Sequence, residues 1–508
     1  MAFREKYSQF AIEVTVFLCG AMVMIFEITG SRIVSPFIGA STYVWTSLIG
    51  VILGALSLGY WLGGRLADKK PDPRMLASII FLAGGLVAIT ILIRDIVLTA
   101  VAAMPAPLEI KSVFAALFLF APPSVALGTV APYAVRLRMS SIGDSGKTVG
   151  KLYALSTIGS IVGTFAAGFF LIPFAGSTRT LYLIAIILFV VAVIVAPLEQ
   201  SKAKLVFVVI LLFGIAANEL NAVYPARRNN LIDLDTEYSR VQIFESTEPE
   251  SGRRIRAIAT DPYFLQSAMY LDGDDPVFKY SRFYRLLGYL RPDFSRTLMI
   301  GGAGYSFPKE HLQLYPKATI DVVEIDSRMT EIAIKHFRLE NHPRMRIYHE
   351  DGRMFLNRAD TATYDAVLMD AFGSLFSVPY QLSTVEAVRQ IERALKDGGI
   401  VIFNLGSAIR GPGSGFLQAE FKTYQSVFPY VYLFKVRPEL ADDALQNLIV
   451  VACKANCLED ARFPAAFEIP ELLDRRYTPP LPLDKPILTD DLAPVEYYGS
   501  IGLRVMFR

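Results

Sequence analysis

Cysteine, histidine and net charge are all scarce in this sequence. Of its 508 residues, three are cysteine and four are histidine. The cysteines, at positions 19, 453 and 457, provide neither a disulfide framework nor the spacing of a zinc site. The 50 basic and 48 acidic residues leave a net charge of +2, which gives no reason to expect a nucleic-acid partner. We therefore expect no metal ion and no nucleic acid among the ligands.

Charge is scarcest in the first part of the chain, where the sequence predicts no cleavable signal peptide. Residues 1–217 hold 25 of the 98 charged residues. The first apolar segment runs into Glu27 and Arg32 without a small-residue cleavage site, and more apolar segments follow it. This pattern favours a membrane-embedded region over a signal peptide.

Six segments have the length and apolar composition that a bilayer span needs. They lie at about residues 10–30, 42–64, 75–93, 112–134, 151–172 and 178–196. A seventh apolar run, residues 205–217, is short for a span, so it lies at the interface or extends through Asn218 and Glu219. The sequence therefore predicts an α-helical transmembrane domain over residues 1–217, surrounded by lipid, with six or seven spans.

Basic residues accumulate in alternate loops. They follow the second, fourth and sixth segments: Arg65, Lys69, Lys70, Arg74, Arg136, Arg138, Lys147, Lys151, Lys202 and Lys204. The positive-inside rule then makes the amino terminus cytoplasmic. Six spans would leave the rest of the chain in the cytoplasm, where nucleoside cosubstrates are made, and a true seventh span would put it outside. We expect a multi-pass protein of the inner or plasma membrane with a cytoplasmic soluble domain.

The stretch from Thr297 to Asp326 has the pattern of a βαβ unit with glycines at its first turn. An apolar run, residues 298–300, leads into Gly301, Gly302 and Gly304. Glycine lets the backbone approach a ligand, and the helix that follows presents free N–H groups. A second apolar run, residues 320–323, ends in Glu324, an acid at the position that binds a ribose in dinucleotide folds. The alternative is an ordinary tight turn in an α/β core.

Three further apolar runs extend the same pattern. Strands are predicted at residues 345–348, 364–370 and 399–405, and a closing antiparallel pair at 430–436 and 447–453. Ligands of open α/β sheets bind beyond the carboxyl ends of the strands. Glu324, Asp351 and Asp370 all fall at such ends. Shorter β segments between 238 and 271 predict a small β subdomain over residues 218–275, before a nucleoside-binding domain at 276–455 and a carboxyl-terminal extension at 456–508.

Residues of about 229–455 resemble the spermidine synthase family, a branch of the Rossmann-like methyltransferase fold. The resemblance is carried by these stretches: Thr236-Glu237-Tyr238, Leu271-Asp272-Gly273, GGAGY at 301–305, VEID at 323–326, Asp351-Gly352 and Asp370. The whole chain is similar to a subgroup in which a multi-helix membrane domain precedes the synthase domain, through residues 59–70, 378–384 and 488–498. The implied fold is a helical membrane domain followed by a Rossmann-like α/β domain with a small β subdomain.

The resemblance implies an aminopropyltransferase that takes decarboxylated S-adenosylmethionine, or S-adenosylmethionine itself, as cosubstrate and a polyamine or other small amine as acceptor. It assigns the adenosyl group to these residues: Gly301, Gly302, Gly304, Glu324, Asp326, Asp351 and Gly352. Asp370 is the expected catalytic base, and Tyr284 and Asp272 are candidates for the amine site. Tyr284 could equally be a core-packing residue, and Asp272 could equally be an acidic residue of a solvated turn. A homodimer is also allowed for.

Three acidic positions of the family are altered in this chain. Gly304 and Gly373 stand where the family has aspartates, and Leu286 stands where it has a glutamate if Tyr284 is aligned correctly. The nucleoside half of the site is thus kept and the amine half is changed. Two other functions therefore stay open: another S-adenosylmethionine-dependent transferase, such as a methyltransferase, and a nucleoside or polyamine sensor or transporter without turnover.

Overall fold

The computed structural model describes residues 2–39, 41–139, 145–196, 202–223, 231–260, 264–371, 378–459 and 469–506. The chain divides into two compact units, Met1–Val241 and Gln242–Arg508. The first unit is helical and the second is built around a mixed β-sheet. The predicted fold class is confirmed in both respects.

The first unit consists mainly of long apolar helices. They are α1 (Ala2–Ile38), α2 (Thr42–Lys69), α3 (Pro73–Ala102), α4 (Leu108–Leu119), α5 (Ala121–Gly128), α6 (Val130–Arg138), α7 (Ser145–Ala166), α8 (Ser177–Val195) and α9 (Lys202–Val223). A π-helical stretch, Ala167–Ala175, extends α7, and the short strand β1 (Ile232–Asp235) follows α9.

Five helices of the described chain are long and apolar enough to cross a membrane, and six if the bent pair Leu108–Leu119 and Ala121–Arg138 is one span. The pair bends by 52°. The break falls at Phe120, next to Pro122 and Pro123, where proline removes a backbone donor and kinks a helix. Large apolar side chains such as Phe169 and Phe213 remain exposed on these helices, as lipid-facing residues do.

Small residues bring α1 and α7 together. An added Cβ at Gly159 would overlap the backbone of Phe17, and one at Gly163 would overlap that of Ala21. Contact between backbones at this distance requires glycine, as in close-packed membrane helices. The two helices run parallel, because residues 17 and 21 meet residues 159 and 163 in the same order.

The second unit begins with an antiparallel sheet. Its strands β2 (Arg240–Thr247), β3 (Arg254–Ala259) and β4 (Leu265–Tyr270) pair in sequence order. A 3₁₀ segment, Lys279–Arg285, then leads into the short helix α10 (Leu286–Leu290).

The main sheet has eight strands. They are β5 (Arg296–Ile300), β6 (Thr319–Val323), β7 (Met345–Tyr348), β8 (Tyr364–Met369), β9 (Leu395–Ser407), β10 (Tyr430–Lys435), β11 (Gln446–Cys453) and β12 (Arg476–Tyr477). The spatial order is β12-β10-β11-β9-β8-β5-β6-β7. Strands β5 to β9 are parallel, and β10 and β11 form the predicted antiparallel pair.

Seven α-helices in the described part of the second unit follow β5 along the chain. They are α11 (Ser306–Leu314), α12 (Ser327–His336), α13 (Gly352–Arg358), α14 (Val385–Ala394), α15 (Gly415–Gln425), α16 (Ile469–Asp474) and α17 (Val495–Met506). Every residue of β8 is buried, as expected of a parallel strand that is covered on both faces. The strand order reverses between β5 and β8, which is where open α/β sheets bind ligands.

The cysteines correct one expectation. Cys453 and Cys457 are joined by a disulfide, with Cα atoms 6.1 Å apart. The four-residue spacing suggested no disulfide, but the chain turns back directly after β11 and brings the second sulfur to the first. Cys19 is free and buried.

Candidate active site

A cavity of about 390 Å³ opens at the carboxyl ends of the central strands of the second unit. Its wall includes Gly301 and Gly302 after β5, Asp370 after β8, and Asn404 near the end of β9. Of the residues predicted for the site, Gly301, Gly302 and Asp370 therefore meet at the switch point between β5 and β8. Residues 261–263 and 372–377, which adjoin the lining residues in sequence and include Gly373, lie outside the described part of the chain.

Gly301 allows the turn after β5 to lie against the turn after β8. Its φ is +98°, a backbone conformation that residues with a Cβ rarely adopt. An added Cβ would overlap the carbonyl oxygen of Asp370. The position therefore requires glycine both for its backbone angle and for its contact with the catalytic candidate.

The carboxylate of Asp370 accepts hydrogen bonds from side chains on two separate elements. Asn404 Nδ2 donates to Oδ1 over 3.0 Å, and the Tyr280 hydroxyl donates to Oδ2 over 3.2 Å. Burial raises the pKa of Asp370 to about 6, although hydrogen bonds from Asn404, Tyr280 and Tyr284 oppose the shift. A carboxylate with a pKa near neutrality is suited to holding and releasing a proton.

Two tyrosines form the wall beside Asp370. The Tyr284 side chain is fully buried, its hydroxyl lies 3.5 Å from the Met369 carbonyl, and its ring meets Tyr280 edge to face. Burial, and secondarily the negative charge of Asp370, raises the pKa of both phenols well above its usual value. Both hydroxyls therefore stay protonated and act as hydrogen-bond donors or acceptors, not as bases.

A second amide holds Asn404 in place. Asn447 Nδ2 donates to Asn404 Oδ1 over 3.0 Å. The two asparagines lie on the antiparallel neighbours β9 and β11, where Asn404 pairs with Ile449. Sequence analysis missed Tyr280, Asn404 and Asn447 as site residues. A polar residue near the end of a buried strand could have indicated Asn404, whereas Asn447 is identified only by the strand register.

In this structure, the acid predicted to hold a ribose, Glu324, accepts hydrogen bonds from the glycine turn. One oxygen of Glu324 accepts from the backbone N–H groups of Gly302 and Ala303, both at 2.9 Å, and the other accepts from Asp326 at 3.0 Å. Glu324 is 8% exposed and does not line the cavity. Burial raises its pKa, and the three backbone hydrogen bonds oppose that shift.

Three other predicted nucleoside residues also lie outside the cavity wall. Asp326 accepts from Arg328 N at the start of α12, and Asp351 accepts from Met354 N at the start of α13. Gly352 packs against Ile300. Asp326 and Asp351 thus cap the helices that follow β6 and β7.

Gly304 and Asp272 are the remaining predicted residues, and neither lines the cavity. An added Cβ at Gly304 would overlap the Ser267 side chain, so the turn packs on β4 there. The side chain of Asp272 is 63% exposed and pairs with Arg253 at 2.7 Å. Of the predicted residues, the structure thus brings Gly301, Gly302, Tyr284 and Asp370 together at the cavity.

The polar groups of the cavity are mainly neutral. Among the described lining residues, Asp370 is the one acidic side chain, and amides and hydroxyls supply most of the rest. Arg437 contributes a positive charge, which is paired with Glu439 at 3.0 Å and Glu250 at 3.5 Å. The described wall can therefore bind one cationic or amine group directly against a carboxylate.

Comparison with known proteins identifies the domain around this cavity. The family described as "Spermine/spermidine synthase domain" matches residues 287–436. A polyamine aminopropyltransferase of Vibrio vulnificus is 28% identical over 273 residues, which cover 51% of this chain and 88% of that protein. A polyamine aminopropyltransferase of Clostridium acetobutylicum is 32% identical over 118 residues, which cover 22% of this chain and 41% of that protein.

A solved structure gives a fold comparison. The crystal structure of a probable spermidine synthase from Corynebacterium glutamicum shares 20% identity with a TM-score of 0.39, covering 46% of this chain and 83% of that one. The fold assignment here rests on the strand order and parallel register of the sheet. Residues 287–436 thus form a spermine/spermidine synthase domain, and in this chain a helical, strongly apolar region precedes it.

Proposed function

We propose that this protein is a membrane-integral aminopropyltransferase that moves an aminopropyl group from decarboxylated S-adenosylmethionine to a small amine. The observation that carries the proposal is the carboxylate of Asp370, buried at the cavity and held by two side-chain donors. The synthase-domain match and the aminopropyltransferase relatives support the reaction class. The apolar helices of the first unit support the membrane assignment.

In the proposed reaction, the lone pair of a neutral amine attacks the propyl carbon beside the sulfonium. The new C–N bond forms as the C–S bond breaks, so methylthioadenosine leaves as a neutral thioether. The product nitrogen then carries one proton too many. Asp370, with a pKa of about 6, orients the amine and takes up this proton.

The adenosyl donor would bind beside the glycine turn. Gly301 and Gly302 form the cavity wall there, and Glu324 fixes the turn through the N–H groups of Gly302 and Ala303. Asp326 and Asp351 cap the helices that follow β6 and β7. We propose that this arrangement presents a ribose-binding edge, with Glu324 as its central acid.

The acceptor would be held mainly through one amine group. Tyr280 and Tyr284 give the wall beside Asp370 an aromatic surface, which suits the alkyl part of an amine as well as its nitrogen. A second cationic end would meet amides and hydroxyls in the described part of the wall. The domain boundaries proposed from the sequence place all of these contacts within residues 218–455.

Product analysis tests the proposal. Purified full-length protein is incubated with decarboxylated S-adenosylmethionine or S-adenosylmethionine and a panel of amines, and products are identified by mass spectrometry. We expect methylthioadenosine and an aminopropylated amine with the decarboxylated donor. Adenosylhomocysteine from S-adenosylmethionine would instead identify a methyltransferase. Bound but unchanged donor in every reaction would identify a binding or transport module.

A further inference from the structure

The first unit has two distinguishable ends, and one of them carries the basic loops. Glu13 in α1 pairs with Arg138 at 3.1 Å and with Lys151 at 2.6 Å, which brings the start of α1, the end of α6 and the start of α7 together. The Tyr133 hydroxyl in α6 donates to the Lys70 carbonyl in the loop before α3. This basic end is cytoplasmic by the positive-inside rule.

The opposite end collects the other helix termini. Arg94, near the end of α3, donates to the Thr178 hydroxyl at the start of α8 over 2.7 Å. Lys111, at the start of α4, donates to the Ala102 carbonyl at the end of α3 over 2.7 Å. By the same rule, this end faces away from the cytoplasm.

Residues 231–241, the last part of the first unit, lie at this second end. Both oxygens of Asp235 cap the start of α8, accepting from Ser177 N at 2.7 Å and from Ser177 Oγ at 2.9 Å. Arg32, near the end of α1, donates to the Glu237 carbonyl. The segment is therefore fixed to the start of α8 and to the last part of α1, both of which lie at the end opposite the basic loops.

The direction of α9 explains how the chain reaches that end. Phe207 lies against Gly85 of α3, and Gly214 lies beside Leu92 of α3 and Tyr182 of α8. The contact partner on α3 thus moves from residue 85 to residue 92 as α9 runs from residue 207 to residue 214. The two helices are therefore parallel, and both run away from the basic end. At about 1.5 Å per residue, the 22 residues of α9 cover roughly 33 Å, close to a hydrocarbon core of about 30 Å, and the apolar part, Leu205–Ala216, covers roughly 18 Å of that length.

We propose that α9 is a seventh membrane span and that the synthase domain works on the non-cytoplasmic side of the membrane. Seven spans put the two chain ends on opposite sides, and residue 241 leaves the first unit at the non-cytoplasmic end. The cytoplasmic placement expected from six spans is thereby reversed. The inference uses only contacts within residues 1–241 and does not depend on the proposed reaction.

The second unit contains an independent feature that favours its placement on the non-cytoplasmic side. The Cys453–Cys457 disulfide is of a kind that persists in oxidising compartments and is rare in the cytosol. A transferase on that side cannot draw directly on a cytoplasmic adenosyl donor. Its donor and its amine must therefore reach that side either from outside the cell or by transport across the membrane.

Cysteine labelling in intact cells tests the proposal with the full chain. Three exposed positions are substituted one at a time: Lys70→Cys at the basic end, Ala103→Cys at the opposite end, and Asn341→Cys in the second unit. A membrane-impermeant maleimide is added before or after permeabilisation, with the unsubstituted chain as background. We expect Asn341→Cys and Ala103→Cys to be labelled in intact cells, and Lys70→Cys only after permeabilisation.

Labelling of Asn341→Cys only after permeabilisation, as for Lys70→Cys, would overturn the proposal. Reporter fusions after Arg508 give a second measurement that does not need substituted cysteines. An alkaline phosphatase, active only outside the cytoplasm, should be active there, and a fluorescent protein that folds only in the cytoplasm should stay dark. The reverse pair of results would return the domain to the cytoplasm, and neither result bears on whether aminopropyl transfer occurs.

Discussion

Asn404 donates from Nδ2 to Oδ1 of Asp370 across 3.0 Å, and its amide cannot turn over without losing another bond. Its own Oδ1 accepts from Asn447 at 3.0 Å. A flipped Asn404 would present its oxygen to the carboxylate and its NH₂ group to the Asn447 NH₂ group. The chain of two amides therefore keeps an N–H group directed at Asp370, which favours the ionised carboxylate over the neutral acid.

The first prediction concerns the pH dependence that this bond controls. The hydrogen bond from Asn404 lowers the pKa of Asp370 against the effect of burial, and the pKa is about 6. Asn404→Leu removes the donor, so the pKa should rise and the acid limb of kcat should move to higher pH by roughly one unit. Gln446→Leu, another change in the cavity wall, is the matched control and should leave the limb in place. An unmoved limb in Asn404→Leu would contradict the positioning role.

The second prediction concerns Asp370 as the base. Asp370→Asn keeps the size and the contact with Tyr280 but cannot take up a proton. Turnover should fall by roughly 10²–10⁴ while the affinity for the adenosyl donor persists. Rapid-quench kinetics and calorimetry on the same preparation measure the two quantities. Full activity would remove the base role, and lost donor binding with a lowered Tm would indicate a structural role for the carboxylate.

Strand patterns made most of the α/β core predictable, but they did not reveal which side chains contact one another at the site. Asp370 could be found because it directly follows the apolar run 366–369, which predicts where the chain leaves the sheet. Asn447 could not, because its contact with Asn404 depends on the register of β11 against β9. Glu324 was found as an end-of-strand acid, but its bonds to Gly302 and Ala303 arise from the way the turn folds back. The second half of α9 was hard to interpret because Asn218 and Glu219 interrupt its apolar pattern.

The third prediction concerns Glu324 and the donor. Its carboxylate fixes the glycine turn through three backbone N–H groups. Glu324→Gln replaces one accepting oxygen with an NH₂ group that faces a backbone N–H group. The affinity for the adenosyl cosubstrate should therefore weaken by roughly 1–3 kcal/mol. Asp272→Asn is the control, because Asp272 is exposed and pairs with Arg253. Calorimetry with decarboxylated S-adenosylmethionine measures the affinities of the unsubstituted protein and of the two variants. Equal affinities in all three would remove Glu324 from the site of the adenosyl cosubstrate.

The fourth prediction separates backbone strain from steric overlap at the switch point. Gly301→Ala adds a Cβ at φ +98° that would overlap the Asp370 carbonyl. Gly252→Ala adds one at φ +69°, and apart from its chain neighbours no atom of the described residues lies within 4 Å of it. The control should cost about 1 kcal/mol of stability from strain alone, and Gly301→Ala should cost more and also lower turnover. Thermal unfolding and kinetics of both variants measure this, and equal losses would show that the contact with Asp370 is unimportant.

The last prediction concerns Glu420, a carboxyl group in the core of the second unit. Glu420 lies on α15 and is fully buried. Burial raises its pKa from 4.5 to about 8, with the Ser383 hydroxyl opposing the shift. The folded protein therefore favours the neutral acid, whereas the unfolded chain ionises above pH 4.5.

Because the folded pKa is the higher one, stability should be lost as the pH rises from about 4.5 to about 8. The loss should reach roughly 3–5 kcal/mol above that range. Glu420→Gln cannot ionise, so its Tm should vary much less between pH 5 and pH 8.5 (roughly the two ends of this window). Glu331→Gln, at an exposed position on α12, should keep the pH dependence of the unsubstituted protein. Parallel pH curves for Glu420→Gln and the unsubstituted protein would assign the loss of stability to other groups.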